Sequence, residues 1–470
     1  MQNLIEKKNI MIAPEIFKAY DIRGIVDKTL TEQACSLIGR AIASEAISLN
    51  IDSIALGYDG RLSGTRLSEI ISKELLAAGI NVLLIKAVTT PILYYTAHTR
   101  TNGSGIMITG SHNPPDYNGF KIMLAGETYA GDKIQALLHR IQQQNFLQKN
   151  ISGRLNIIDI ADDYIQYISK DIQLTRPIKV AIDAGNGIAG AFAKQLFTAI
   201  GADVVELFCE VDGNFPNHHP DPAKPENLND LQNILKTSDC EIGLAFDGDG
   251  DRLGVVTKNG NIIYPDRQLM LFAKDILARQ KNAKIIFDVK CSRLLKQVIQ
   301  ENGGQPILCK TGHSFIKAAI KEHNAILAGE MSGHLFFKER WFGFDDGLYA
   351  GCRILEILSQ YNNPSEILNN LPNAFSTPEI NIAMEKEGDN HAIINQLQKN
   401  AQFPKAKEVI TIDGLRVEYE NGFGLIRASN TTPVLVLRFE ADNELALKEI
   451  QNEFACILKQ YNISFPADLI

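Results

Sequence analysis

The sequence has little that would fix a fold covalently or anchor it to a surface. Its seven cysteines, at positions 35, 209, 240, 291, 309, 352 and 456, are scattered, odd in number and form no C-x-x-C pair. That argues against a disulfide framework and for reduced thiols in a cytosolic setting. Excess positive charge is also missing: 47 Lys+Arg stand against 55 Asp+Glu, a formal charge of −8. Such a surface repels a phosphodiester backbone, so nucleic acid is not an expected partner, while a small anion is compatible if cations cluster locally. No apolar run approaches the ~20 residues of a membrane span. The first residues, MQNLIEKKNI, lack the long apolar core of a signal peptide. A cytoplasmic location with no membrane partner is the expectation. Coiled-coil and added interface segments are absent as well, which points to a monomer. What remains is ordinary globular composition, 45% apolar and 22% charged, unlike disordered or collagenous chains. At about 150 residues per domain the chain suggests roughly three domains, and four small ones also fit.

A pattern recurs three times. IDSIALGYDGR (51–61) is an apolar run ending at Asp59, followed by the helix-like SGTRLSEIISKELLAAG, stopped by Gly79, and the strand-like INVLLI. IKVAIDAGNG ends its run at Asp183, and AGAFAKQLFTAIG stops at Gly201 before VVEL. KIIFDVKCS holds Asp288, and SRLLKQVIQENGG, with Gly303, precedes PILC. The intervals from Asp to Gly are 20, 18 and 15 residues. These read as strand–helix–strand units capped by glycine. Each copy continues into a second apolar run ending in a polar loop: GIMITGSHNPP (105–115), IGLAFDGDGDR (242–252) and AILAGEMSGH (325–334). In α/β sheets ligands bind at such strand ends. The tail differs. VITIDGLRVEYENGFGLIRAS carries D-G and N-G turn signals between strands, VLVLRFEA is a further strand, and NELALKEIQNEFACILKQY is an amphipathic helix. The expected fold is α/β: three similar α/β domains (1–157, 158–260, 261–372) and a C-terminal α+β domain (373–470), arranged around a central cleft.

Four loops carry the chemistry. In ITGSHNPPDYNGFK (108–121), Ser111 sits at a strand end in a loop stiffened by Pro114 and Pro115. A hydroxyl held this way can be a nucleophile or phosphoacceptor, with His112 and Lys121 as proton carriers. A polar turn closed by a local serine–backbone bond is the plain alternative. In DGDGDR, Asp247, Asp249 and Asp251 alternate with glycines. Three carboxylates this close repel unless a cation neutralises them, and hard oxygen ligands suit Mg2+ or Ca2+. An EF-hand fails, because position six is Arg252 and position twelve Lys258. A solvated acidic turn is the alternative. GEMSGH offers Glu330, Ser332 and His334 to sugar hydroxyls, or is a glycine-rich turn. WFGFDDG (341–347), with the only tryptophan, is expected to be a buried support. RASNTTP offers the planar fork of Arg427 and the short donors Ser429, Asn430, Thr431 and Thr432, a phosphate cradle or a simple strand link. Together these are parts for phosphoryl transfer to a hydroxyl.

TGSHNPP, DGDGDR, GEMSGH and RASNTTP, with FKAYDIRG (17–24), occur in this order along essentially the whole chain. In this the sequence resembles the α-D-phosphohexomutases. KTGHS (310–314) and RWFGFDDG bring it closest to the bacterial phosphomannomutase/phosphoglucomutase branch, whereas glucosamine mutases typically have Gln where Met331 stands. The resemblance implies a fourth domain of TATA-binding-protein-like fold. It implies an isomerase acting on hexose phosphates of carbohydrate metabolism, through a phosphoprotein form and a hexose 1,6-bisphosphate intermediate. Ser111 would carry the phosphoryl group, and Asp247, Asp249 and Asp251 would hold Mg2+ together with a phosphoserine oxygen. Glu330 and Ser332 would bind the sugar near O3 and O4. Arg427, Ser429, Asn430 and Thr431 would grip the phosphate that is not reacting, with Tyr20, Arg23, Lys290, His313 and His334 as further contacts. Lys121, helped by Arg23 or His334, is the candidate for the proton in transit. A hinge before residue 373 would let Arg427 swing onto the ligand. Two other readings stay open: an aspartyl mutase or phosphatase with Asp247 as nucleophile, and a non-catalytic sugar-phosphate sensor.

Overall fold

A computed structural model describes residues 12–386, 388–430 and 432–465. The chain divides into two compact units, one built from residues 12–173, 182–228 and 245–251, the other from 174–181, 229–244 and 252–465.

The first unit holds a seven-stranded mixed sheet. Its strands are β1 (Ile22–Ile25), β2 (Ser53–Tyr58), β3 (Asn81–Ala87), β4 (Gly105–Ile108), β5 (Tyr117–Leu124), β6 (Glu127–Thr128) and β7 (Leu155–Ile157). They run in the order β1-β5-β4-β2-β3-β7, with β6 beside β5. The middle of β2 and all of β4 are buried, as expected of strands covered on both faces. Ile54, Leu56, Ile106 and Ile108 pack with Ile38 and Ile42 of the helix Glu32–Ser48 and Leu67 and Ile71 of the helix Gly64–Ala77. Gly79, at φ +91°, ends that second helix in the left-handed conformation that glycine adopts without steric cost. β4 and β5 are antiparallel, with Met107 opposite Lys121 and Ile108 opposite Phe120. This register sets Lys121 beside the point where the Ser111 loop leaves β4.

The second repeat supplies β8 (Lys179–Asp183), β9 (Asp203–Leu207), β10 (Ile242–Phe246), β11 (Leu253–Thr257) and β12 (Ile262–Ile263). Their order is β12-β11-β10-β8-β9, and DGDGDR is the turn from β10 to β11. The third supplies β13 (Lys284–Asp288), β14 (Gln305–Cys309), β15 (Leu327–Gly329) and β16 (Leu335–Phe337), in the order β14-β13-β15-β16. β13 is parallel to both β14 and β15, and β15 is antiparallel to β16. Between β13 and β14 runs the helix Arg293–Glu301, capped by the Ser292 hydroxyl, which accepts from the Leu294 amide at 3.1 Å. Trp341 is buried and stacks on Tyr349 at 4.5 Å, and Asp346 caps the helix Gly347–Leu358, so WFGFDDG is a structural support.

The tail forms an antiparallel sheet from β17 (Phe375–Ser376), β18 (Ile380–Ala383), β19 (Glu408–Ile410), β20 (Leu415–Tyr419), β21 (Gly422–Ala428) and β22 (Val434–Ala441). Leu437 and Phe439 pack against Phe454 of the helix Glu444–Gln460. One turn signal works differently from its expectation. Gly414 bends at φ +75°, but Gly422 of the N-G pair lies in β21, where a Cβ would come within 2.2 Å of the Glu440 carbonyl. Gly422 thus serves close packing rather than the turn. Two buried arginines tie this sheet to the turn after β13. Arg416 Nη1 donates to the carbonyls of Val289 (2.7 Å) and Cys291 (2.6 Å), and Arg438 Nη1 donates to that of Lys290.

Candidate active site

The sequence-derived residues fall into two groups, one in each unit. In the first unit Ser111 is 2% exposed and stands at φ +50°. A side chain there costs about 1–2 kcal/mol of backbone strain. Its amide donates to Thr109 Oγ1 at 2.8 Å, and Thr109 Oγ1 in turn donates to Asp59 Oδ2 at 2.7 Å. Ser111 Oγ lies 3.1 Å from His112 Nδ1 and 3.2 Å from Asp247 Oδ2. Asp247, Asp249 and Asp251 are fully buried, with one carboxylate oxygen of each within 4.8 Å of the others. Lys121 Nζ donates to Asp249 Oδ2 (2.7 Å) and Asp251 Oδ2 (2.5 Å). Three carboxylates and one ammonium leave a formal charge of −2 in a buried site. Asp249 Oδ1 is buried with no hydrogen-bond partner among the described residues. An all-oxygen donor set with that residual charge fits a hard divalent cation. Arg23, on β1, donates through Nη1 to Asn113 Oδ1 at 2.5 Å and through Nη2 to Asp21. Tyr20 is half-buried in the bend before β1.

In the second unit Glu330 is buried, accepts from the Gly312 amide at 2.5 Å, and lies 3.3 Å from His334 Nδ1. Ser332 Oγ is 2.9 Å from the same nitrogen, and Arg252 Nε is 3.3 Å from His334 Nε2. His313 opens the helix His313–His323 and stacks on His334 at 5.8 Å. Burial alone would raise the Glu330 carboxyl, but the hydrogen bond and charge of His334, together with the Gly312 amide and the Lys290 charge, outweigh it and hold the group below its ordinary value. Asp288 is raised by burial, against the pull of Lys290 and with the push of Glu330. Lys290 Nζ donates to Glu379 Oε1 at 2.6 Å. Burial opposes the Lys290 charge, but Glu379 and Asp288 more than offset it, and the group is raised. Arg427 Nε donates to Asp413 Oδ2 at 3.0 Å, and the same oxygen accepts from the Thr311 amide at 2.9 Å. Thr311 Oγ1 donates to Asp288 Oδ2 at 3.0 Å, and the Met331 amide to Asp288 Oδ1 at 3.3 Å. GEMSGH, KTGHS and the Arg427 loop are thus joined into one polar network. Ser429 Oγ is 3.1 Å from Thr432 Oγ1, and Asn430 is half-buried. Thr431, the fourth residue expected in the phosphate grip, lies outside the described residues.

Several partners escaped the sequence reading. Thr90 Oγ1 donates to Asp249 Oδ2 at 2.5 Å, and its amide to the Asp249 carbonyl at 2.9 Å. The pair Thr89-Thr90 before Pro91 reads as a helix cap, and Thr89 does cap the Ile92 amide at 3.3 Å. That cap leaves Thr90 for the aspartate. Asp413 was legible only as half of a D-G turn, and Glu379 had no local signal.

Four family models match the chain. They are the phosphoglucomutase/phosphomannomutase α/β/α domains I (residues 14–148), II (162–260) and III (264–375), and the C-terminal domain (379–456). A phosphoglucomutase of Neisseria meningitidis is 60% identical over 448 residues, covering 95% of this chain and 97% of that one. A phosphomannomutase/phosphoglucomutase of Pseudomonas aeruginosa is 54% identical over 452 residues, covering 96% and 97%. The crystal structure of a phosphoglucomutase/phosphomannomutase family protein from Burkholderia thailandensis superposes with a TM-score of 0.91 at 53% identity, covering 96% of this chain and 98% of that one. With all four domains matched in order and the acidic, seryl and basic loops at their strand ends, this chain belongs to the phosphoglucomutase/phosphomannomutase family.

Proposed function

We propose that this protein interconverts hexose 6-phosphates and hexose 1-phosphates, of mannose, glucose or both, by lending a phosphoryl group from Ser111 and taking one back. The observation that carries this reading is the single buried cluster in which Ser111 Oγ meets Asp247 at 3.2 Å and Lys121 bridges Asp249 and Asp251. The two negative charges left there, together with the orphaned Asp249 Oδ1, support Mg2+ held by the three aspartates and a phosphoserine oxygen. When bound, the ion supplies charge stabilisation to the phosphoryl group in flight.

The chain's own residues do the rest. Ser111 carries the group on Oγ. In the first half-reaction a sugar hydroxyl, O6 or O1, attacks the phosphorus. The new sugar O–P bond forms as the Ser111 Oγ–P bond breaks. The attacking hydroxyl gives up one proton and the departing serine oxygen takes one up, so protons balance across the step. Lys121 handles that proton, with Arg23 or His334 as helpers. The product is a 1,6-bisphosphate facing a bare serine, and its turnover end for end presents the second phosphate for return to Ser111. Arg427, Ser429, Asn430 and Thr431 hold whichever phosphate is not reacting. Glu330 and Ser332 hold O3 and O4, which nearly superimpose in the two orientations. O2 does not, so a site read this way accepts sugars that differ only at C2. Tyr20, Lys290 and His313 complete the ligand contacts. The enzyme acts as a cytoplasmic monomer under this reading, with domain limits near residues 157, 260 and 372.

A coupled assay of mannose, glucose and glucosamine phosphates side by side, with Mg2+ and bisphosphate activator, tests this. Comparable rates for the first two, little for the third, and none for Ser111→Ala are expected. Zero turnover by the primed wild-type protein would favour a sugar-phosphate sensor instead.

A further inference from the structure

One buried cation in the first unit belongs to none of the roles above. Arg61 follows β2, and its side chain is 1% exposed. Its Nη2 donates to the carbonyls of Ser111 (2.8 Å) and Asn113 (2.6 Å), and its Nη1 to those of Pro114 (2.5 Å) and Tyr117 (2.9 Å). One planar guanidinium therefore gathers four carbonyls of the seryl loop. Asp59 supports it from the other side. Its Oδ2 lies 3.3 Å from Arg61 Nε, and its carboxylate also accepts from the Arg61 amide, from Thr109 Oγ1 and from the Gly110 amide. The loop makes room for this group: a Cβ on Gly110 would lie 2.5 Å from Arg61 Cζ. The Phe215 ring, 5.2 Å from Arg61 Cζ, closes the pocket. A fully buried guanidinium is costly unless paired and hydrogen-bonded. Here its partners are the carbonyls flanking a serine that stands at φ +50°, a conformation that persists only where the surroundings enforce it.

We propose that Arg61 is a positioning residue for phosphoryl transfer. By fixing four loop carbonyls on one plane it keeps Ser111 left-handed, with Oγ aimed at Asp247, whether the serine is free or phosphorylated. The proposal rests on Ser111 being the phosphoryl carrier. Lysine cannot replace the group, because an ammonium is a point charge without the fixed fork of donors. A nucleophile loosened by about 1 Å can lose on the order of 10²-fold in rate. Arg61 commits its Nη donors to the backbone of the seryl loop, so substrate affinity is not its province.

Full-length Arg61→Lys and Arg61→Ala proteins, compared with wild type by amide hydrogen exchange and steady-state kinetics, test this. In Arg61→Lys, amides 109–117 should exchange about tenfold or more faster while protection elsewhere in the unit is kept. The kcat should fall on the order of 10²-fold with KM within about twofold. Added guanidinium ion should restore part of the kcat of Arg61→Ala. Unchanged loop exchange in Arg61→Lys, or faster exchange with wild-type kcat, would overturn the proposal. So would a KM rise matching the kcat loss, or protection lost throughout the unit. The exchange data judge the clamp even if wild-type protein proves inactive on hexose phosphates, an outcome that would count against the mutase reading alone.

Discussion

At the residue scale the site depends on how single side chains are oriented. Asp249 has one oxygen held by Thr90 and Lys121 and the other buried without a hydrogen-bond partner among the described residues. Groups that orient a ligand typically contribute 10–100-fold to metal affinity. Thr90→Val, which keeps shape and removes the donor, is expected to weaken Mg2+ binding about tenfold or more in a titration of metal-free protein. An unchanged dissociation constant would show that Asp249 needs no second partner. Ser111, the three aspartates, Glu330 and His334 stand out in the sequence because their types are unusual together: alternating Asp and Gly, Ser between Gly and His, Glu and His spaced around Gly; Tyr20, Arg23, Lys290 and His313 came only with the family resemblance. Thr90, Asp59 and Arg61 were not legible, because each is an ordinary residue at a strand or helix end. Its role exists only once another segment is folded against it.

At the element scale the three strand–helix–strand units fold where the pattern put them. Asp59, Asp183 and Asp288 close their strands, and Gly79, Gly201 and Gly303 take positive φ after their helices. Apolar runs and glycine stops are local signals, so one sequence carries them. The strained serine is not local. Its φ depends on contacts with segments fifty residues before it, at Asp59 and Arg61. The turn after β10 also limits it: a Cβ at Gly248 would fall 2.3 Å from the Ser111 carbonyl. Gly248→Ala must therefore shift the seryl loop or the aspartate turn. Overpacking of this kind costs about 1–3 kcal/mol. A lower melting temperature together with a kcat loss is the expected outcome, and wild-type values for both would show that the contact is not restrictive.

At the scale of the whole molecule, the α/β repeats and the α+β tail were readable from the order of the elements, but the ties of the tail were not. Arg416 and Arg438 looked like ordinary strand residues, yet they bury their charges on the backbone of 289–291. Removing residues 373–470 would strip those partners as well as the residues proposed to hold phosphate, so point substitutions report on that proposal more cleanly than a truncation. The Lys290–Glu379 pair gives a test of one further tie between the tail and that turn. Lys290 holds Glu379 below its ordinary 4.5, so its contribution is present above that value and lost as pH falls through the lower folded value. Lys290, burial notwithstanding, is raised above 10.5 by Glu379, so its contribution is present below that value and lost as pH rises through the higher folded one. The difference in melting temperature between wild type and Glu379→Gln should be constant between about pH 5 and 10 and shrink on either side. A difference independent of pH would mean that the pair carries no charge-dependent stability.

The most direct measurement is the site of the phosphate on the purified or bisphosphate-treated protein, read by intact mass and peptide mapping. An acid-stable phosphate on Ser111, lost on mixing with hexose 1-phosphate and absent in Ser111→Ala, is the predicted result. A hydroxylamine-labile phosphate on Asp247, with Ser111 unmodified, would contradict it.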